Sequence, residues 1–548
     1  MRSSRPFSFF QCRLLTTARL ARRPSILPLT ASSSSSSLRQ IRAPRTALYH
    51  TTQNLGNNQP QTSSPQAIVP RPTHAPKPVV DIKHIRQNPE LYSKNALERN
   101  YPAAAAYPQR INELFAEWQT AQREARGLRE RGNALRRLLT GPGSTSRDDP
   151  DNTVPPPTTR EELLAEARQI KASLSTIEAT ESRLTAEMED MALAIPNLTS
   201  EHTPRGDEPR VLSYINDHPE TRPSASDRVW RSHIHVGAEL GILDFAAGGT
   251  TSGWGWYYLL DEAAQLEQAL VAYALKVAST AEWRQVSPPS IVYGHIAGAC
   301  GFQPRDANGE TQIYNLAGQA DKAELVLAGT AEIPLAGMKA ETTLDETELP
   351  SKRVAVSRCY RAEAGARGLD TKGLYRVHEF TKVELFAWTA PDVELTEEIF
   401  NEILALQTKI LESLGLHCRV LEMPANDLGA SATRKRDIEA FFPSRRERND
   451  GWGEVTSASV CTDYQTRRLA TRVRAGGKLA YPWTVNGTAM AVPRVLAAIL
   501  ENGWDETTKT VRIPKVLQPY MGQKETIGPP AHWPLVKPRK SSQSTPDQ

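Results

Sequence analysis

Chemistry is concentrated between Cys359 and Trp388, CYRAEAGARGLDTKGLYRVHEFTKVELFAW. Arg361 and Glu363 follow a hydrophobic segment two residues apart and so share a face, while Arg367, Lys372 and Arg376 add positive charge in or beside a Gly- and Ala-rich connection. Such a cluster can hold a polyphosphate. Further on, His378, Phe380, Lys382 and Glu384 alternate, which would line one floor with an aromatic ring, an ammonium and a carboxylate, so that a base could stack and an amine or hydroxyl be held. The same residues also fit an ordinary hairpin with a solvated charged loop.

Positioning these groups falls to two short segments, Arg353 to Tyr360 (RVAVSRCY) and Phe380 to Trp388 (FTKVELFAW), whose alternation reads as two strands of a hairpin. Upstream, apolar or small residues recur at 111, 114, 118, 121, 125, 128, 132, 135 and 139, an unbroken three-four alternation. A second run, Leu163, Ala167, Ile170, Leu174, Ile177, Leu184, Met188, Met191 and Ile195, keeps the spacing with Glu181 as its polar intruder. Each predicts roughly 30 residues, or about 45 Å, of helix. The Pro-rich stretch 141–159 between them cannot be helical, so the helices must fold back as an antiparallel arm. Residues 110–137 hold seven Arg against four Glu, whereas 160–191 hold four basic against eight acidic residues. The two helices can therefore neutralise one another across the seam, or the outward arginines can meet phosphates. Pro196 ends the arm, and 197–228 reads as an irregular polar connection; beyond it, 253–260 reads as strand, Asp261 to about Thr280 as an amphipathic helix, and Trp283 to Val292 as a strand carrying Pro288 and Pro289.

Composition bounds the rest. The chain has 548 residues, enough for two to four domains, and a formal charge of +4. The first 80 residues contain 11 Lys or Arg and no acid, so the remainder carries 55 basic and 62 acidic residues, a net of −7; RNA contact would have to come from local patches. Nine arginines within residues 1–50 and the run Ser32 to Ser37 have the composition of a mitochondrial transit peptide, and 51–80 that of a disordered linker. No run of about 18 apolar residues exists to span a membrane. The five cysteines, Cys12, Cys300, Cys359, Cys418 and Cys461, lie far apart, which argues against a zinc site or a disulfide framework.

Cys359 to Glu384 closely resembles motif 2 of the class II aminoacyl-tRNA synthetases in the form used by seryl-tRNA synthetases, and the likeness extends over about residues 81–523. It implies an α+β fold: a class II antiparallel sheet with flanking helices, preceded by an N-terminal antiparallel two-helix coiled-coil arm. The implied organisation is a transit peptide over 1–50, a linker over 51–80, a tRNA-binding arm over 81–200, a catalytic domain over 201–523 and a disordered tail over 524–548. By the resemblance Arg361 would bind the α-phosphate of ATP and touch serine, Glu363 the adenine amino group, and Phe380 would stack on adenine, with Ala362 beside them. LAGTAEIPL (327–335) resembles the serine-binding loop, where Thr330 and Glu332 would hold the substrate, Glu332 suiting a cationic α-amino group. Glu384 would also contact serine. In DLGASATRKRDIEAFFPS, WGEVTSAS and CTDYQTRRL, Glu454 and Ser457 would hold Mg²⁺ and, with Val455 and Thr456, ATP. Motif 3 is matched by NGTAMAVPRVLAAILEN (486–502), in which Thr488 would contact serine and Arg494 the γ-phosphate. Arg361 and Arg494 are thus the implied catalytic residues, and the helix after residue 260 with its flanking strands resembles motif 1, the homodimer interface. Val460 departs from the family's common Asn, and Ala362 from its common Ser.

The implied activity is ATP-dependent activation of L-serine to seryl-adenylate and transfer to the 3′ end of tRNA(Ser), in the mitochondrial matrix. Two other readings stay open: a serine-activating carrier-protein ligase, which such a long arm argues against, and a non-catalytic paralogue acting as a binding protein, which the presence of Arg361, Glu363, Glu384, Glu454 and Arg494 argues against.

Overall fold

A computed structural model describes residues 75–140, 159–217, 231–302, 312–317, 322–363, 373–447 and 449–529. The expected leader, most of the linker, the Pro-rich tip of the arm, Arg367, Lys372 and the chain beyond 529 lie outside the described residues.

The fold begins with two short helices, α1 (Ile82–Gln87) and α2 (Pro89–Glu98), followed by the long α3 (Tyr107–Thr140) and α4 (Arg160–Ala194). α4 starts on a capping box: Thr159 Oγ1 accepts the Glu162 N–H, and the Glu162 carboxylate accepts the Thr159 N–H. The heptad positions do face inward, for Ile111, Leu114, Ala125 and Leu135 of α3 and Ile170, Ile177, Leu184 and Met188 of α4 are all buried. Charges cross the seam as well. Arg131 lies 2.6 Å from Glu166, Arg129 3.4 Å from Glu178 and Arg110 3.7 Å from Glu187, so part of the arginine excess is spent on pairing between the helices. Such exposed pairs add register more than stability, and apolar burial holds the arm together.

Eight strands then build one sheet: β1 (Arg210–Ile215), β2 (Arg284–Val286), β3 (Ser351–Tyr360), β4 (Glu379–Thr389), β5 (Cys418–Glu422), β6 (Arg434–Phe441), β7 (Trp452–Thr462) and β8 (Trp483–Ala491). Their order is β1-β5-β6-β7-β8-β4-β3-β2, and every pairing is antiparallel except the edge pair β3–β2. Three helices, α5 (Asp261–Thr280), α6 (Val393–Ser413) and α7 (Val492–Gly503), cover one face. There Val383, Leu385 and Ala387 of β4 join Leu266 and Leu270 of α5, Phe400 and Ile403 of α6, and Val495 and Leu496 of α7 in the main core. The alternate residues Phe386 and Trp388 point to the other face and a second apolar cluster with Ile333, Leu335 and Val473. The second half of β4 is thus covered on both sides, which is why Leu385 to Trp388 is continuously apolar while the first half alternates.

Four expectations are corrected. Of 253–260, expected as a strand, only Tyr258–Leu259 forms one, paired with Leu243–Asp244, because Trp254 and Gly255 before it make a turn. The tail expected to be disordered from 524 starts later, since Thr526–Ile527 pairs with Thr510–Arg512 and buries Ile527. The connection after the arm is not wholly irregular, since 210–215 forms edge strand β1 on β5; five of its six residues are exposed, so it lacks the apolar alternation that marks a strand. The segment Trp283 to Val292 is not one strand. Residues 284–286 join the main sheet, while Ile291–Tyr293 pairs with Leu325–Leu327 in a separate ribbon. Pro288 and Pro289 fall between them and remove the two amide hydrogens a continuous ladder would need.

Leu184 is 1% exposed at the root of the arm, where it packs with Ile111, Leu114 and Met188. Leu184→Ala is expected to lower the opening free energy of the arm by about 3 kcal/mol, as loss of a buried leucine does. Amide hydrogen exchange should show the change in α3 and α4 and leave the sheet's protection as it was.

Candidate active site

The face of the sheet away from those three helices carries a cleft of about 310 Å³ lined by residues from β4, β6, β7, β8, the chain just after β3 and the start of α7. Alternation aims them there. On β4, Phe380, Lys382 and Glu384 face the cleft while Val383 and Leu385 face the core; on β8, Asn486 and Thr488 do so. The register pairs Thr488 with Glu384 and Asp437 with Ser457. Gly487 is required in this weave, because a Cβ on it would lie 2.5 Å from Ile403 Cγ2 of α6. Next to it, Gln407 Nε2 donates to the carbonyls of both Ser457 and Thr488 and so ties β7 to β8 beneath the cleft.

Three groups of side chains divide the cleft. At one end Lys382 Nζ lies 2.7 Å from Glu384 Oε2 and donates to Thr330 Oγ1 at 2.7 Å. Asn486 Nδ2 and Thr488 Oγ1, each at 3.3 Å, also donate to the Glu384 carboxylate. Glu332 accepts from Gln465 Nε2 at 2.6 Å. Burial, helped by the neighbouring Glu384, pushes the Glu332 carboxyl up to about 7 against the pull of Lys382, Gln465 and Arg361. This end is small, buried and rich in fixed acceptors, as suits a compact molecule with an amino group and a hydroxyl.

In the middle, the Arg361 guanidinium lies 5.3 Å from the Phe380 ring centre, and its buried Nε has no hydrogen-bond partner among the described residues. A buried guanidinium nitrogen left without an acceptor calls for an anion from outside the chain. Glu363 takes a left-handed backbone conformation, with φ of 49°, and accepts from Arg376 Nη1 at 2.9 Å. Ala362 contributes backbone, its N–H donating to the Gln312 carbonyl.

At the far end Arg494 spans 3.1 Å to Glu454 Oε2 while donating to the Glu454 and Tyr375 carbonyls. Burial opposes ionisation of Glu454, but Arg494, Lys435 and Arg361 together hold its carboxyl down at about 2. Burial alone would lower the Lys435 ammonium; Asp437 at 3.0 Å and Asp427 at 2.8 Å outweigh it and raise it. Glu454 stays ionised, its side chain is 39% exposed to the cleft, and Ser457 lines the same wall, an all-oxygen donor set that fits a hard divalent cation. No group of three or more His, Cys, Asp or Glu gathers into a metal cage among the described residues, so such an ion would need further oxygens from a bound molecule.

Of the residues the resemblance assigns to ligands, all but Ala362 line this cleft. Thr456 spends its hydroxyl on the Thr488 carbonyl, and the Val455 side chain packs in the main core, so these two offer the cleft little beyond backbone. Val460 also belongs to that core and lies away from the cleft, which accounts for an apolar residue there. His378 departs from the expected alternation. It precedes β4, donates from Nδ1 to the Arg361 carbonyl, and packs against Trp254 and Trp256 at 5.6 and 6.1 Å. Sequence reasoning missed Lys435, Gln465 and Asn486; the last could have been found, since it stands two residues before Thr488 on one strand and must share its face.

Comparison with known proteins follows the same lines. Residues 314–503 match the family model described as tRNA synthetase class II core domain (G, H, P, S and T), and 79–199 match the seryl-tRNA synthetase N-terminal domain. The chain is 44% identical over 370 residues to the mitochondrial serine–tRNA ligase of Saccharomyces cerevisiae, covering 67% of this chain and 80% of that one. It is 36% identical over 486 residues to the mitochondrial serine–tRNA ligase of Mus musculus, covering 85% and 89%. Among solved structures, the seryl-tRNA synthetase of Pyrococcus horikoshii complexed with ATP superposes with a TM-score of 0.69 at 32% identity, covering 82% of this chain and 99% of that one.

Glu332 also sets a pH dependence. With its folded value raised to about 7 from an ordinary 4.5, the folded protein binds a proton that the unfolded chain has released, so this group's stabilisation is complete below pH 4.5 and is lost as pH rises through about 7. Glu332→Gln, which cannot titrate, should escape that loss of about 3 kcal/mol. Thermal midpoints of the two proteins should therefore move in the variant's favour between pH 5 and 8.

Proposed function

Because the chain belongs to the class II seryl-tRNA synthetases, we propose that this cleft activates L-serine with ATP and that the helical arm of residues 81–200 brings tRNA(Ser) to the catalytic domain of residues 201–523. The protein is a serine–tRNA ligase. What carries the assignment of the site is the meeting, in one cleft, of a guanidinium whose buried Nε has no acceptor among the described residues with a small carboxylate-lined end and an ionised carboxylate beside a serine hydroxyl.

In this reading Thr330, Glu332, Glu384 and Thr488 hold serine, with ionised Glu332 receiving its ammonium group. Adenine stacks on Phe380 and its amino group meets Glu363, which Arg376 holds in place. Arg361 binds the α-phosphate and the serine carboxylate together. The serine carboxylate oxygen attacks the α-phosphorus, the bond to the bridging oxygen breaks, and pyrophosphate leaves; a hydroxyl of the terminal ribose of tRNA then attacks the acyl carbon and releases AMP. Arg361 and Arg494 balance the charge that gathers on the phosphates, so the work is electrostatic rather than acid-base. Glu454 and Ser457 are the residues that would hold Mg²⁺, which supplies a Lewis acid for the phosphate oxygens. Arg494 must exchange its contact with the Glu454 carboxylate for the γ-phosphate when ATP enters. The P. horikoshii relative solved with ATP and the Naegleria fowleri relative solved with AMP support the nucleotide assignment.

The mitochondrial relatives and the Arg-rich, acid-free first 50 residues support action in mitochondria, in the matrix. A homodimer through α5 and its flanking segments is supported by Tyr258, Leu260, Ile291 and Tyr293, which flank that helix in the chain and leave large apolar side chains exposed. No described helix is long and apolar enough to cross a membrane.

Arg361→Ala should reduce serine-dependent ATP–pyrophosphate exchange by at least about 10²-fold with an unchanged thermal midpoint; wild-type exchange would remove Arg361 from the mechanism. Replacing residues 119–181 by a short flexible loop keeps Ile111, Leu114, Leu184 and Met188 at the root of the arm. That protein should exchange pyrophosphate normally yet lose nearly all aminoacylation of tRNA(Ser), and an unaffected charging rate would refute the role given to the arm.

A further inference from the structure

The segment Gly373–Arg376 closes the nucleotide side of the cleft. Arg376 pairs with Glu363, and the Tyr375 carbonyl accepts from Arg494 Nε at 3.1 Å. On its far side lies His233, 6% exposed, at the start of the helix His233–Leu240. The Leu374 N–H donates to His233 Nε2 at 3.0 Å. On the other edge of the ring, Nδ1 is 2.7 Å from Glu501 Oε1, and Glu501, 1% exposed, also accepts from the His233 and Ser444 N–H groups and the Ser444 hydroxyl. An imidazole that accepts at Nε2 must carry its proton at Nδ1, so the four donors converging on Glu501 dictate which nitrogen faces the loop. Packing enforces the contact. Gly373 has φ of +79°, and a Cβ there would lie 2.2 Å from His233 Nε2. Arg494 and Glu501 stand two turns apart on α7, one reaching Tyr375 directly and the other reaching Leu374 through His233.

We propose that His233, oriented by Glu501, is a positioning residue for ATP: it anchors the Leu374 amide so that Tyr375, Arg376 and, through Arg376, Glu363 stand where the nucleotide needs them. It touches no part of the serine end, whose residues come from Thr330, Glu332, β4 and β8. The proposal rests on the assignment of this cleft to ATP.

Two substitutions separate the two hydrogen bonds. In His233→Asn the amide can still donate to Glu501 but is too short to reach Leu374, whereas in His233→Gln the carbonyl can accept from the Leu374 N–H. Steady-state pyrophosphate exchange should show the KM for ATP raised about tenfold in His233→Asn, the worth of one buried hydrogen bond, with the KM for serine unchanged, and His233→Gln within about threefold of wild type. Equal shifts in both substrates, or identical Asn and Gln variants, would overturn the proposal. Should neither variant fold, nitrogen-15 shifts of histidine-labelled wild type decide it: an Nδ1–H tautomer for His233 supports the anchor and an Nε2–H tautomer refutes it. A wild-type protein without serine-dependent exchange would instead sink the underlying assignment to ATP.

Discussion

Opposite charges held in fixed pairs are the constraint on which this cleft depends. Lys382 with Glu384, Arg376 with Glu363, Arg494 with Glu454 and Lys435 with Asp437 each place a cation within about 3 Å of an acid around this one cleft. Taking ions out of water is costly, and each is tolerated because its partner and its hydrogen bonds are fixed by the strands, by the start of α7 or by the turns that flank them. The pairs differ in what they leave over. Glu384 is held in place by Lys382, Asn486 and Thr488, whereas Arg361 retains a buried Nε without an acceptor among the described residues and Glu454 remains exposed to the cleft.

Precision of this kind comes from the sheet more than from the loops. An antiparallel ladder sets which residues stand opposite, and its irregularities re-aim side chains. The register shifts between Thr488 and Met490 on β8 and between Ile438 and Glu439 on β6 fall beside Thr488 and Glu454, two of the residues assigned to ligands. Helices α5, α6 and α7 pack behind these strands, and α6 reaches through with Gln407 to fix the shifted carbonyl of Thr488. A one-residue slip anywhere in β4 would exchange Lys382 and Glu384 for Val383 and Leu385, so the apolar core enforces the register of the site as much as its own hydrogen bonds do.

That coupling explains what the chain disclosed in advance and what it withheld. Heptad spacing announced α3 and α4, and the amphipathic run after residue 260 announced α5, because in both the pattern is generated by one buried stripe. Glu384 and Phe380 were legible through the strand period, and Thr330, Glu332, Glu454 and Arg494 through the family's motifs. Strand β1 was hidden because its pairing, rather than its burial, makes it a strand. His378 was misplaced because apolar alternation continues one residue past the first ladder position of β4. Lys435 could not be read as a cleft residue, since its two carboxylate partners include Asp427, eight residues away on a turn whose position only the fold supplies. The same holds for His233, which lies 141 residues from the amide it binds.

Distance along the chain also governs how the arm is attached. Arg99, wholly buried at the end of α2, donates to the carbonyls of Asn197 and Gly429, and Asn95 donates to the Asn197 carbonyl at 3.0 Å. Asn197 in turn donates to the carbonyls of Ser431 and Cys461, each at 2.9 Å. Gly429, Ala430 and Ser431 line the cleft, so the root of the arm and one wall of the site share a single hydrogen-bonded unit. A buried guanidinium whose two terminal nitrogens both donate to carbonyls tolerates little rotation, because turning it would leave those acceptors unpaired in a dry interior. The arm is accordingly anchored at its base by the same segment that shapes one wall of the cleft.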